Sequence, residues 1–267
     1  RSVGTSINRF AHTGIMRYSD DVARIPAAAI SVPDAMQLEK MLARQPELTL
    51  HLQMQNKLPG DVISHNVIAE ITGSKYPDEI VLISAHLDSW DEGTGALDDG
   101  AGVGIVMATA ALLKQQGRPE RTVRVVLFGN EEGGLVGARA YAAKHAAKLK
   151  NHVFASESDF GAGRIWRLDT GFGDKALSFG NTLQQKLAHL GIAMGDNTAS
   201  GGPDVSILKA QGVPVVSLQQ DGTDYFDYHH TPNDTLDKID PEAMQQNLAA
   251  WLITTAAVAN SRVDLRR

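Results

Sequence analysis

The chain has 267 residues, 43% of them hydrophobic and 21% charged, which is enough apolar material to bury a core and too much for a disordered chain. A net charge of −6 and the absence of a basic run argue against nucleic-acid binding, and no apolar stretch reads as long enough to span a bilayer. There are no cysteines, so disulfides and thiolate zinc sites are excluded and any metal must be held by His, Asp and Glu.

Residues 1–60 read as the remnant of an accessory domain, and 61–267 as the main domain. IPAAAISVPDAMQLEKML (25–42) suggests a short strand, a turn and a helix. LTLHLQMQN (48–56) alternates as an exposed strand would, and Leu58-Pro59-Gly60-Asp61 is a turn. VISHNVIAEITGSKYPDE (62–79) then reads as a strand and hairpin leading into the core. From Glu79 onward apolar runs alternate with helical patterns. EIVLISA (79–85), RTVRVVLFG (121–129), HVFASES (152–158) and VPVVSLQ (213–219) read as strands buried on both faces. Between and after them, helices are expected over 101–117, 134–150 and 176–191, with a last one beginning at Asp240-Pro241, an N-cap followed by proline at the first helical position. This alternation predicts an α/β fold: a mixed, largely parallel central sheet flanked by helices.

The polar residues fall in a pattern on this frame. His86 and Asp88 follow the first of these strands, Glu131 and Glu132 the second, and Asp159 the third, while His229 and His230 lie in the loop after the fourth. In open α/β sheets, ligands bind at the carboxyl ends of the strands. Alone, each signal is weak. Glu131-Glu132 would also suit a solvated helix start, Asp98 and Asp99 would suit a helix cap, and Glu157 competes with Asp159. Together they suit a pair of divalent ions about 3.5–4 Å apart, which needs imidazole and carboxylate ligands and one carboxylate that bridges.

The segments His86-Leu-Asp88-Ser-Trp, Leu97-Asp98-Asp99-Gly-Ala-Gly, Asn130-Glu131-Glu132-Gly-Gly, Glu157-Ser-Asp159 and Tyr228-His229-His230-Thr-Pro-Asn-Asp-Thr235 resemble, in order and spacing, the co-catalytic zinc exopeptidases of the M28 peptidase family, and within it the plasma glutamate carboxypeptidase branch. The resemblance implies a zinc aminopeptidase-like α/β/α sandwich and two zinc ions. His86 would bind one ion and His230 the other, Asp98 would bridge, and Glu132 and Asp159 would complete the two shells. Glu131 would be the general base, and Asp88 would orient His86. Asp98 and Asp99 would be joined by a cis peptide, with Asp99 also starting the helix. Tyr225 or Tyr228 would assist the oxyanion. Apart from the resemblance, Ser200-Gly201-Gly202-Pro203-Asp204 stands at the start of a short expected helix and is expected to offer N–H groups to a substrate carboxylate.

The expected activity is hydrolysis of short peptides, dipeptides above all, by an exported protein, and a homodimer stays open. Two alternatives are a single-zinc acyltransferase like the glutaminyl cyclases and a non-catalytic peptidase-like binding module. His12, His51, His65, His145, His152 and His189 are expected to be ordinary surface or core residues.

Overall fold

The structure, a computed structural model, describes residues 9–57 and 60–266. Its elements are α1 (Val32–Arg44), β1 (Val67–Ile71), β2 (Tyr76–His86), α2 (Ala101–Gln115), β3 (Arg121–Phe128), α3 (Val136–His145), β4 (His152–Glu157), β5 (Ile165–Gly171), α4 (Leu177–Leu187), β6 (Ala193–Met194), α5 (Pro203–Lys209), β7 (Val215–Gln220), α6 (Tyr225–Tyr228) and α7 (Pro241–Ala259). The strands form one seven-stranded sheet in the order β1-β3-β2-β4-β7-β5-β6. Strands β3, β2, β4 and β7 run parallel to one another. At one edge β1 is antiparallel to β3, and at the other β5 is antiparallel to β7 and parallel to β6.

Two-sided burial explains the Val/Ile/Leu-rich strands. Along β2, Val81, Ile83 and Ala85 pack on one face with Ile105, Val106, Leu113, Trp251 and Val258 of α2 and α7. Ile80 and Leu82 face the other way, into a second core with Ala138, Tyr141, Val205 and Leu208 of α3 and α5. At about 25 cal/mol per Å² of apolar surface removed from water, such a two-faced strand is held in the interior by both layers. The expected largely parallel sheet and its flanking helices are therefore present.

Several details differ from expectation. β1 does not form a hairpin with β2; it pairs with β3, Val67 opposite Leu127. β2 already has parallel partners on both sides, so the edge strand finds its open hydrogen-bonding edge one strand further out. Residues 48–56 form no strand, and neither does the stretch before α1; both lack a sheet edge to pair with. The expected turn at 58–61 lies partly outside the described residues. Strands β5 and β6 were not anticipated. α1 does form, with the Ser31 hydroxyl accepting from the Asp34 N–H, but it buries none of its residues.

The run Ala96–Gln115 is, by length and composition alone, long and apolar enough to cross a membrane, contrary to the sequence reading. Half of it is buried inside the molecule, where α2 packs between β2 and α7.

Candidate metal and catalytic centre

Four parallel strands deliver their carboxyl ends to one edge of the sheet, and the polar residues gather there. His86 closes β2 and is almost fully buried. Its Nδ1–H donates to the main-chain oxygen of Asp88 at 2.8 Å, which turns Nε2 toward Asp98 Oδ1 at 3.0 Å and Asp159 Oδ1 at 3.3 Å. Fixing one imidazole nitrogen in this way commits the other to a ligand. The role expected of the Asp88 carboxylate is thereby revised. It lies 3.8 Å from His86 Nδ1, and its two oxygens instead accept the N–H groups of Glu131 (2.9 Å) and Glu132 (3.1 Å).

Those two glutamates sit on the turn after β3. Asn130 holds a φ of 59°, a left-handed conformation that asparagine tolerates better than most residues. Asn66 braces the same turn, accepting from Gly129 N–H and donating to Gly137 O.

Asp98 lies in a wide turn over Ala96–Gly100 that feeds α2, and its peptide bond to Asp99 is cis, as the resemblance implied. A second non-proline cis bond joins Asp91 and Glu92. Asp99 accepts from the N–H groups of His86 (3.0 Å) and Gly102 (3.1 Å), so it starts the helix and ties it to β2. Asp234 had not been singled out, although it stands inside the last motif. Its carboxylate accepts from Leu97 N–H at 2.6 Å and Asp98 N–H at 3.1 Å, clamping the turn that presents Asp98.

On the far side of Asp98, His230 Nε2 lies 3.3 Å from Asp98 Oδ2 and 2.9 Å from Glu132 Oε2. Its Nδ1–H donates to Thr13 O at 3.0 Å, while Thr13 N–H and Oγ1–H both donate to His230 O. His12, read from sequence as ordinary, pairs with His229 at 2.7 Å, and His229 Nε2 stands 3.2 Å from Asp98 Oδ2. His229 and His230 therefore both reach Asp98, but only His230 of these two also meets Glu132 among the described contacts. No sequence signal marks His12 or Thr13, because their partners lie 217 residues away.

Of three groups of possible ligand atoms among the described residues, one is His12, His229 and His230, and the other two share Asp98. His86, Asp98 and Asp159 form one; Asp98, Glu132 and His230 form the other; within each, the atoms lie within 4.8 Å of one another. Asp98 belongs to both. Its Oδ2 faces only the imidazole nitrogens of His229 and His230, at 3.2 and 3.3 Å, and Glu132 Oε1 is buried with no hydrogen-bond partner, which is how carboxylate oxygens stand when a cation is their proper neighbour. Imidazole nitrogen with carboxylate oxygen is a donor set suited to zinc. Glu157 does not take the place of Asp159: it is fully enclosed and accepts from Val205 N–H at the start of α5. Of the 200–204 stretch expected to face a substrate carboxylate, the Gly201 N–H is instead donated to Ser217 Oγ.

The electrostatics follow from burial and crowding. Burial would lower the His230 pKa, but hydrogen bonds to Asp98 and Glu132 raise it to about 10. His86 behaves likewise: burial lowers it, and Asp159 and Asp98 outweigh that and hold it well above its usual value. Burial, reinforced by the charge of Asp159, raises Glu131 to about 8. Glu131 lines a cavity of about 420 Å³ together with Asp98, Glu132, Asp159, Tyr225 and Arg17. Tyr228 instead lines the neighbouring cavity, with Lys238 Nζ 5.7 Å from its ring centre.

The profile of peptidase family M28 matches residues 66–255. A crystal structure described as a peptidase M28 precursor from Shewanella amazonensis SB2B is 53% identical, with a TM-score of 0.92, covering 100% of this chain and 61% of that one. Mouse carboxypeptidase Q is 39% identical over 250 residues, 93% of this chain and 53% of its own length. An aminopeptidase from Aneurinibacillus sp. strain AM-1 is 27% identical, with a TM-score of 0.61 over 76% of this chain and 49% of that one. The chain thus spans about half the length of the carboxypeptidase Q sequences it matches.

Proposed function

From the premise that the chain belongs to peptidase family M28, we propose that it is a metallo-exopeptidase that hydrolyses short peptides, dipeptides above all, with two zinc ions. The observation that carries this reading is the pair of three-residue ligand sets sharing Asp98. His86 and Asp159 would hold one ion, Glu132 and His230 the other, and Asp98 both. When bound, the ions would supply Lewis acidity that polarises the scissile carbonyl and eases deprotonation of water.

The chain's own residues do the rest. Glu131 stands in the cavity but outside both ligand sets, free to take a proton from the attacking water and return it to the leaving amine. Tyr225 lines the same cavity and is buried, so its hydroxyl is the donor offered to the oxyanion; Tyr228 is set aside by its place in the neighbouring cavity. Asp88 positions Glu131 and Glu132 through their N–H groups. Residues 1–60 would be an accessory segment and 61–267 the peptidase domain; among the described residues of the former, His12, Thr13 and Arg17 reach the site. The Shewanella relative is described as a precursor, which supports an exported, processed protein.

Metal analysis combined with a dipeptide panel tests this reading. Wild type and Glu131→Gln should each bind two zinc ions per chain, and the variant should lose roughly 10²–10⁴-fold in kcat, the usual worth of a general base. Full activity of Glu131→Gln with both ions bound would refute the assignment of the base. One tightly bound zinc without hydrolysis would instead favour the cyclase-like alternative.

A further inference from the structure

Arg17 is out of place for a surface residue of an acidic site. It stands on the rim of the cavity whose walls include Asp98, Glu131, Glu132 and Asp159, yet it makes no hydrogen bond or ion pair among the described residues. A guanidinium near four carboxylates ordinarily finds one of them. Here it does not, because the segment that carries it is fastened elsewhere. Four residues earlier, Thr13 makes three hydrogen bonds with His230, and His12 pairs with His229. The side chain then lies over the turn after β3, where a Cβ added at Gly134 would sit 3.4 Å from Arg17 Nη2. Gly134 has a φ of +117° and offers no side chain to fill that space.

The charge balance gives the position a meaning. Four carboxylates against two divalent cations leave the cavity near neutral, and Arg17 then adds a positive charge at its rim. It is the one lysine or arginine among the described residues that line the cavity. The Gly201 N–H is already spent on Ser217 Oγ, so the 200–204 stretch offers one donor fewer to an anion than the sequence suggested, and the Val205 N–H just beyond it is spent on Glu157.

We propose that Arg17 is the recognition residue for the free C-terminal carboxylate of the peptide. It would pair with that group through its guanidinium fork and so restrict the enzyme to substrates that end one residue beyond the scissile bond. The proposal rests on the peptidase reading and deepens it.

The test compares the best-cleaved dipeptide of a panel with its own C-terminal amide, using zinc-loaded wild type, Arg17→Ala and Arg17→Lys. Both substrates present the same scissile bond, so only the terminal charge differs. Wild type should prefer the free carboxylate. Arg17→Ala should lose ~10–100-fold in kcat/KM on the free dipeptide, mostly through KM, as expected for one charge-assisted pair, and keep its rate on the amide. Arg17→Lys should recover part of the loss, since it restores the charge without the fork. Thermal melts of the variants should match wild type, because the side chain bonds to nothing described. Equal loss on both substrates, no loss on either, or a wild type indifferent to the terminal charge would overturn the proposal. Zinc-loaded wild type that cleaves no peptide at all would overturn the peptidase reading, and this inference with it.

Discussion

Replacing Asp234 with alanine should loosen the metal centre without touching a ligand. The Asp234 carboxylate is buried, 3% exposed, and accepts from two buried N–H groups, Leu97 at 2.6 Å and Asp98 at 3.1 Å. Hydrogen bonds to a charged partner are worth about 1.5–3 kcal/mol each, so losing both costs about 3–6 kcal/mol, a large share of a typical domain's stability of about 5–15 kcal/mol. The loop remains tethered, because Thr94 donates through N–H and Oγ1–H to the main-chain oxygen of Asp234, which the substitution leaves in place. The variant therefore isolates the clamp on the Asp98 turn. Loss of such an outer support typically weakens metal binding 10–100-fold. Urea denaturation in excess chelator reads the stability term, and competition with a chromophoric chelator reads zinc affinity. Asp234→Asn should fall between, since its amide NH2 would oppose one of the two N–H donors. Wild-type zinc affinity in Asp234→Ala, with a stability loss under about 1 kcal/mol, would refute the clamp.

Two further outcomes concern the scaffold. His152 is fully buried, and its Nδ1–H donates to Lys148 O while Nε2 accepts from Tyr141 O–H; burial lowers its pKa from 6.5 to about 4. A depressed histidine contributes stability that is complete above pH 6.5 and is lost as the pH falls through about 4. The gap amounts to about 3 kcal/mol, so zinc-free wild type should lose that much more between pH 7 and 4 than zinc-free His152→Gln in urea titrations; parallel curves would refute it. At Gly102, a Cβ would collide with Ser158 O and Asp99 Oδ1, so Gly102→Ala should cost about 1–3 kcal/mol of overpacking strain. A thermal melt unchanged from wild type would show that the helix start shifts freely.

The parts of this molecule that could be read from sequence share a physical cause. β2, β3, β4 and β7 were legible because strands buried on both faces must be apolar throughout, and the ligand candidates were legible because each follows such a run. His86, Asp98, Glu132, Asp159 and His230 do come together at one edge. β5 escaped notice because its sequence, IWRLDTG, mixes charge with apolar residues, as suits a strand flanked by antiparallel β7 and the two-residue β6. β1 was seen as a strand but given the wrong partner, since local sequence does not record which edge remains open. The supporting contacts were the least legible. Asp88 bonds to N–H groups rather than to the imidazole, and the bonds of Asp234 and Thr13 span 136 to 217 residues. Main-chain donors and acceptors are the same at every position, so a sequence cannot say which of them a side chain will meet.

That division of labour has an energetic basis. Glu132 leaves a buried oxygen unpartnered, and four carboxylates crowd one cavity. Such an arrangement costs free energy unless cations enter, so something other than the acids' mutual preference must hold them in place. Hydrogen bonds to and from the main chain do this. Main-chain groups of Asp88 and Thr13 fix the two imidazoles, N–H groups of Glu131 and Glu132 are fixed by Asp88, and those of Leu97 and Asp98 by Asp234. In the absence of metal, the imidazoles answer the surplus negative charge by holding protons, His230 up to about pH 10. Cation entry must then displace protons, which couples metal occupancy to pH and to the stability of the loops that carry the ligands. A site built in this way is rigid before its cations arrive, and its rigidity is owed to residues that never touch them.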